Sequence, residues 1–162
     1  MNHEKHVSPP HREEGSGVVV AILAVIFIPI LIFFFLVATE QYPTVRFPDG
    51  TVIAVEIADD VEERRVGLSE HIFLDPDRGM LFLFDEPSRP AFWMKGMDFP
   101  IDIVWLSGGR VVGIESDVQL SDETIPTSVR PMVDIDQVLE VNAGFASEHG
   151  LKTGQTLDIK LP

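Results

Sequence analysis

The chain has 162 residues, a formal net charge of −14 at pH 7 and no cysteine. The lack of cysteine excludes disulfides, thiolate metal ligands and cysteine nucleophiles. The excess of 26 acidic over 12 basic residues argues against a nucleic-acid partner, because phosphate groups would be repelled.

A polar tail at 1–16 precedes an unbroken apolar run at 17–38, which contains no charged or strongly polar side chain. As a helix, this run would be roughly 33 Å long, slightly more than a hydrocarbon core. A cleaved signal peptide and a buried core helix are the alternatives. The apolar stretch of a signal peptide is only about 7–15 residues long, and runs of about 18 or more apolar residues favour a membrane span. We therefore predict a retained transmembrane anchor at 17–38, with the lipid bilayer as its partner.

The basic residues around this run predict its orientation. Lys5, Arg12 and the amino terminus precede it, whereas only Arg46 lies in the first stretch after it. Segments next to a membrane span that are rich in Lys and Arg usually stay in the cytoplasm. We therefore expect a single-pass protein with a cytoplasmic N-terminus and an extracytoplasmic soluble domain.

The rest of the chain is predicted to be a linker and first strand at 39–50 and a globular domain at 51–162. Pro48-Asp49-Gly50 separates two apolar stretches, Val45–Phe47 and Thr51–Ile57. Proline and glycine supply the dihedral angles that a tight turn needs, so these stretches are predicted to pair as a hairpin.

A short helix is expected next. Asp59 or Asp60 would cap it, Glu62 or Glu63 would complete a capping box, and it would end at Leu68.

Short strands dominate the remainder. Ser107-Gly108-Gly109 indicates a second tight hairpin, and residues 119–134 read as a long loop. Asn142 is expected to cap a helix over Ala143–His149, and Gly150-Leu151 has the form of a glycine C-cap. The predicted strands are Met80–Phe84, Ala91–Met94, Ile101–Leu106, Arg110–Val118, Gln137–Val141 and Thr156–Leu161.

These elements predict a fold class that is mainly β with two short helices (α+β). The expected architecture is an antiparallel β-sandwich or barrel-like domain behind one N-terminal transmembrane helix.

Asp102 is the first candidate site residue, because it lies in a strand that is apolar on both faces. A carboxylate buried there needs a cation or hydrogen-bond donors, or else it takes up a proton. Lys95 could reach it across a hairpin, and Arg64 or Arg65 could reach it from the first helix. Two interpretations stay open: a structural cap or ion pair near Phe99-Pro100, and a binding or catalytic group.

Glu140 raises the same question. Asp136 and Asn142 share its strand face, which favours a solvated face. Alternatively, Glu140 and Asp102 converge with Lys95 as an acid–base or cation-binding group.

Metal handling is a further alternative. Thioethers can bind copper(I), although methionines in apolar strands more often fill core space. The GxSxG, HExxH, GxxxxGK[ST] and GxGxxG patterns are all absent, so the hydrolases, zinc proteases and nucleotide binders that these motifs mark lack support. We predict no metal site and no cofactor. The candidate thioethers are those of Met80, Met94, Met97 and Met132.

Five short motifs occur in a fixed order that resembles the domain of unknown function 192 family, over roughly 51–161. The resemblance implies a compact, mostly β domain, often exported or membrane-tethered, without an established activity. The motifs are Arg65-x-Gly67-Leu68, Gly79-Met80-Leu81-Phe82-x-Phe84, Phe92-Trp93-Met94-Lys95, Pro100-Ile101-Asp102-Ile103 and Leu139-Glu140-x-x-Ala143-Gly144.

The resemblance also implies a set of site residues, since the family repeats an Arg, a Trp, a Lys, an Asp and a Glu at matching positions. These positions correspond to Arg65, Trp93, Lys95, Asp102 and Glu140, which we take as the candidate ligand-binding residues.

The chain departs from the family pattern at two places. Ser69 stands where the family often has Met, and Gly96-Met97 stands where it often has Asn-Thr. Any ligand contact made by that Asn or Thr would be missing here.

Together, these observations favour a membrane-anchored, extracytoplasmic and non-catalytic module that binds a small polar ligand or an envelope protein. The alternatives are an envelope hydrolase or lyase that uses Asp102 or Glu140 with Lys95, and methionine-based metal handling.

Overall fold

Nine strands and two short helices make up residues 42–120 and 127–161, the part of the chain that the computed structural model describes. The predicted class, mainly β with two short helices, is confirmed. The elements are β1 (Thr44–Arg46), β2 (Val52–Ala58), α1 (Val61–Val66), a 3₁₀ turn (Gly67–Glu70), β3 (Arg78–Ser88), β4 (Phe92–Trp93), β5 (Ile101–Ser107), β6 (Arg110–Val118), β7 (Ser128–Val129), β8 (Ile135–Asn142), α2 (Phe145–Glu148) and β9 (Asp158–Lys160).

Seven strands form one sheet in the order β6-β5-β8-β3-β2-β1-β9, while β4 and β7 pair separately. The sheet is mixed, because β2 and β3 are parallel and the other neighbours are antiparallel. The predicted antiparallel arrangement therefore holds for the strand pairs named above, except for β2 with β3. A parallel pair needs a crossover connection, and α1 with its 3₁₀ turn lies in the segment that joins β2 to β3.

The sheet curls into a half-barrel. The amide of Val111 at the start of β6 donates to the carbonyl of Gln155 at 2.9 Å, and the amide of Leu157 donates to Gly109 at 2.9 Å. These bonds join one edge strand to the segment that leads into the opposite edge strand, β9.

Local signals in the sequence located the first hairpin and the first helix correctly. β1 pairs with β2 around Pro48-Asp49-Gly50. Asp60 caps α1, and Glu63 completes the capping box. The helix is shorter than expected, because it ends at Val66 and continues as the 3₁₀ turn.

The second helix corrects a prediction. It begins at Phe145 with Gly144 at its N-cap, and no side chain at that position caps it. Asn142 does not cap the helix. Its amide nitrogen donates instead to the carbonyls of Leu74 and Asp75, at 3.0 and 3.2 Å.

Each face of the seven-stranded sheet carries an apolar cluster. We call the first face the α2 face, because Phe145 and Ala146 of α2 pack on it with Leu81, Val104 and Leu139. We call the second the cavity face. Leu68 of the 3₁₀ turn packs there, and the cluster also contains Met80, Phe82, Met94, Ile103, Trp105 and Val138.

The predicted tail (1–16) and the predicted anchor (17–38) lie outside the described residues. Within 42–120 and 127–161, no helix combines the length and apolar character needed to cross a bilayer.

Candidate functional site

A cavity of about 230 Å³ lies on the cavity face. Its walls come from α1 and the 3₁₀ turn, from the segment around β4, and from strands β3 and β8. The lining residues are 64–69, Phe82, Phe84, 90–93, Lys95, Met97 and Glu140.

Four of the five predicted site residues meet in this cavity. Arg65 comes from α1, Trp93 and Lys95 come from β4 and the residues just after it, and Glu140 comes from β8. These positions are far apart in sequence, and only the sheet and its covering segments bring them together.

Glu140 is the unusual group of the site. It is 6 % exposed, and its neighbours across the strands are the apolar side chains of Met80 and Ile103. No hydrogen bond or ion pair to its carboxyl group exists among the residues that the structure describes. Burial raises the pKa of Glu140 to about 8, because the charged form loses its hydration. At pH 7 the group is therefore mainly a neutral acid that can donate a hydrogen bond.

This position of Glu140 corrects the prediction of a solvated strand face. Alternation along β8 places Val138 and Glu140 on the cavity face, and both are buried. The predicted polar neighbour Asp136 lies near the β5–β6 turn, where its carboxylate accepts from the amide of Gly108 at 2.9 Å.

Three cations line the same cavity, and two of them have no acidic partner within residues 42–120 and 127–161. Arg64 donates to the carbonyls of Leu83, at 2.8 Å, and Asp59. Lys95 is exposed and forms no ion pair. The cavity therefore has available positive charge.

Arg64 and Arg65 are held in different ways. The guanidinium of Arg64 lies 5.2 Å from the ring centre of Phe84, a cation–π distance that fixes the side chain. Arg65 binds Glu62 through two contacts, including Nε to Oε2 at 2.9 Å. The hydrogen bond from Arg65 lowers the pKa of Glu62, but both side chains are more than half exposed. Exposed ion pairs of this kind contribute little stability. Breaking the contact with Glu62 therefore costs little free energy, and Arg65 can bind another anion instead.

Aromatic rings form the apolar wall. The ring centres of Phe82 and Phe92 lie 4.9 Å apart at 80°, and those of Phe92 and Trp105 lie 5.4 Å apart at 74°. Edge-to-face contacts of this type are favourable. Trp93 is 55 % exposed, so an aromatic ring is also open to solvent beside the cavity.

Asp102, the fifth predicted residue, is not part of the cavity. It is fully buried on the α2 face and accepts three backbone hydrogen bonds. Its Oδ1 accepts from the amides of Asp117 (2.8 Å) and Gly144 (3.1 Å), and its Oδ2 accepts from Ala146 (2.8 Å). We had expected Lys95 or an arginine to pair with Asp102, and neither does. Asp102 instead caps α2 from a neighbouring strand, which is a structural role.

Three of the four candidate methionines lie in or against the cavity-face cluster. Met80 and Met94 are 6 % and 2 % exposed within it, and Met97 packs against it, whereas Met132 is 88 % exposed. The side chains of Met80 and Met94 therefore fill core space, as methionines in apolar strands commonly do. In the described part of the chain, no group of three or more His, Asp or Glu side chains could hold a metal ion.

Sequence reasoning missed some members of the cavity. Arg64 was considered only as a partner for Asp102, and Phe82 only as part of a buried strand.

The two departures from the family pattern also lie at the cavity, since Ser69 and Met97 both line it. The hydroxyl of Ser69 donates to the carbonyl of Val66 at 2.6 Å, so it is already satisfied.

Comparison with known proteins shows the family. The profile of DUF192, a domain of unknown function described as an uncharacterised ACR, matches residues 44–159. The chain therefore belongs to the DUF192 family. The match begins before the predicted start of the domain at 51, since it includes β1, which pairs with β2 and β9.

Two crystal structures are similar to this chain. A protein of unknown function from Novosphingobium aromaticivorans is 30 % identical with a TM-score of 0.64, over 72 % of this chain and 82 % of that one. A Sinorhizobium meliloti protein, described as a candidate transcription regulator, is 28 % identical with a TM-score of 0.64, over 72 % of this chain and 91 % of that one. No curated protein matches the chain.

Proposed function

We propose that this chain is a membrane-anchored, extracytoplasmic binding protein that holds a small polar ligand in the cavity of its DUF192 domain. The anchor is the apolar run at 17–38, and the domain carries the site. The cavity combines an apolar aromatic wall with a few polar groups, which is the composition typical of small-molecule sites.

The observation that carries this proposal is Glu140. A buried carboxyl group without a hydrogen-bond partner destabilises a fold, and among the described residues no protein group compensates for it. A ligand that accepts a hydrogen bond from Glu140 would supply the missing partner. Destabilising groups of this kind are characteristic of functional sites rather than of stable cores.

Binding is favoured over an envelope hydrolase or lyase that works with two carboxyl groups, because Asp102 and Glu140 lie on opposite faces of the sheet. Asp102 lies on the α2 face with three backbone donors, and Glu140 is the only carboxyl group that lines the cavity in the described part of the chain. Glycoside hydrolysis, for example, ordinarily requires two carboxyl groups on either side of the substrate.

DNA regulation, suggested by the description of the Sinorhizobium protein, is disfavoured for this chain. Residues after position 38 carry 10 Lys and Arg against 23 Asp and Glu. A domain with this charge repels the DNA backbone.

A screen of the full chain tests the binding proposal. The protein in mild detergent is exposed to a library of small metabolites, and ligand-observed NMR detects binding. We expect compounds that bind the wild type, lose affinity for Glu140→Leu, which removes the hydrogen-bond donor, and keep it for the control Glu115→Leu. Glu115 lies in β6 outside the cavity. Equal binding to the wild type and to Glu140→Leu, or no binding to either, would contradict the proposal.

Cysteine labelling tests the topology, because the natural chain contains no cysteine to react. Single variants Ser8→Cys and Ser116→Cys are treated with a membrane-impermeant maleimide. We expect Ser116→Cys to label in intact cells and Ser8→Cys to label only after permeabilisation. The opposite pattern would overturn the extracytoplasmic location.

A further inference from the structure

We infer that the ligand of this cavity is a small organic anion: a carboxylate carried on an aromatic or aliphatic body. This inference rests on the proposed function, since it names the ligand class of the same site.

The first argument is a local reversal of charge. The domain is strongly acidic, yet the cavity is lined by Arg64, Arg65 and Lys95 and by a single carboxyl group, Glu140. Three of the ten cations after position 38 therefore lie at one cavity. Arg64 and Lys95 form no ion pair with any of the described acidic side chains. Their charge is therefore available to an anionic ligand.

The second argument concerns the state of Glu140. Burial keeps the group mainly protonated at pH 7, so it adds little negative charge to the cavity and acts as a donor. One carboxylate oxygen of the ligand would accept this hydrogen bond, while the negative charge of the carboxylate attracts the cations of the cavity. A cationic ligand would be repelled by Arg64 and Lys95, which have no acidic partner among the described residues.

The third argument is the size and the wall. A volume of about 230 Å³ corresponds to roughly eight water-sized groups, which suits a ligand with one ring or a short chain. The rings of Phe82 and Phe92 offer apolar contact to the ring or chain of the ligand.

Three isosteric probes separate the charge classes: phenylacetate, phenylacetamide and phenethylamine, each titrated calorimetrically into the full chain in detergent at pH 7. We expect phenylacetate to bind about tenfold more tightly than the amide, because hydrogen bonds to a charged group are stronger. Phenethylamine should bind most weakly. Added salt should weaken the binding of phenylacetate selectively, because the cations at the cavity are partly open to solvent.

Lys95→Gln should reduce the affinity for phenylacetate severalfold and leave the affinity for phenylacetamide nearly unchanged. Lys152→Gln is the matched control, because Lys152 is an exposed lysine that does not line the cavity. Equal effects of the two lysine variants on phenylacetate would contradict the assignment of Lys95.

The pH dependence supplies a second readout. Affinity for phenylacetate should fall between pH 7 and 9, since ionisation of Glu140 adds negative charge beside the anion. Glu140→Gln should remove this step. Other titratable groups lie on neighbouring strands in register with Glu140: Glu56 with His71 on the β2 side, and Glu115 on β6. These groups and the cavity cations are the same in Glu140→Gln and in the wild type. Any pH dependence that remains in the variant therefore comes from them.

The outcomes separate this inference from the proposed function. Tighter binding of phenethylamine or of the amide, lost in Glu140→Leu, would overturn the anionic ligand class and support the cavity as a binding site. Failure of all three probes while the metabolite screen finds ligands would also overturn the anionic class alone. Failure of the probes and of the screen together would overturn both proposals.

Discussion

Replacing Glu140 by Gln should stabilise the domain, and by an amount that grows with pH. The pKa of Glu140 is raised from 4.5 to about 8 in the folded state. Between these values the unfolded chain releases its proton while the folded chain keeps it, so the stability of the wild type falls as pH rises from about 4.5 to 8. Each pH unit is worth about 1.4 kcal/mol. The neutral, nearly isosteric Gln has no such loss. Its advantage should therefore be near zero at pH 4, at most about 3 kcal/mol at pH 7, and at most about 5 kcal/mol above pH 8.

Urea unfolding of the full chain in detergent measures this effect through the fluorescence of its two tryptophans, of which Trp105 is 2 % exposed and Trp93 is 55 % exposed. The comparison is made at pH 4, 5.5, 7 and 8.5, with Glu115→Gln as the control variant outside the cavity. A Glu140→Gln variant whose advantage over the wild type changes by less than about 1 kcal/mol across this range would refute the reasoning. It would mean that Glu140 is hydrated or paired in the folded state and ionises normally.

Three further substitutions test other parts of the fold, each by the same urea titration. Asp102→Ala removes the acceptor of three backbone amides, two partly buried and one buried, and should cost about 2–3 kcal/mol. Asp136→Ala, whose carboxylate serves one exposed amide, should cost about 1 kcal/mol or less. Similar losses would exclude the capping role. Gly79→Ala places a Cβ 2.7 Å from the carbonyl oxygen of Glu140 and should cost about 2–3 kcal/mol, so an unchanged midpoint would show that the two strands separate easily. Asp60→Ala removes the N-cap of α1 and should cost about 1 kcal/mol, and a neutral result would mean that packing alone holds the helix.

The features predicted correctly depend on short stretches of sequence. The β1–β2 hairpin follows from Pro48-Asp49-Gly50, and the start of α1 follows from Asp60 and Glu63, which are only three residues apart. Turns and caps are local interactions, so their residues and their partners can be read together.

The errors concern partners that are distant in sequence. Asp102 was expected to need a cation, but its donors are the amide of Asp117 and two amides at the start of α2, more than forty residues away. Asn142 looked like the cap of α2 by its position, yet Leu74 and Asp75 take its amide. Backbone amides do not appear in a sequence pattern, so nothing in the sequence marked them as partners.

By itself, the sequence determined the family, the mainly β class and the candidate residues, because motif order, turn chemistry and alternation of apolar residues are written along the chain. Only the tertiary structure decided which carboxyl group belongs to the site. Residues that alternate on a strand point to opposite faces of a sheet, and the strand register places Asp102 on the α2 face and Glu140 on the cavity face. The segments that cover the cavity face leave Glu140 only 6 % exposed, which raises its pKa and leaves its carboxyl group without a partner among the described residues.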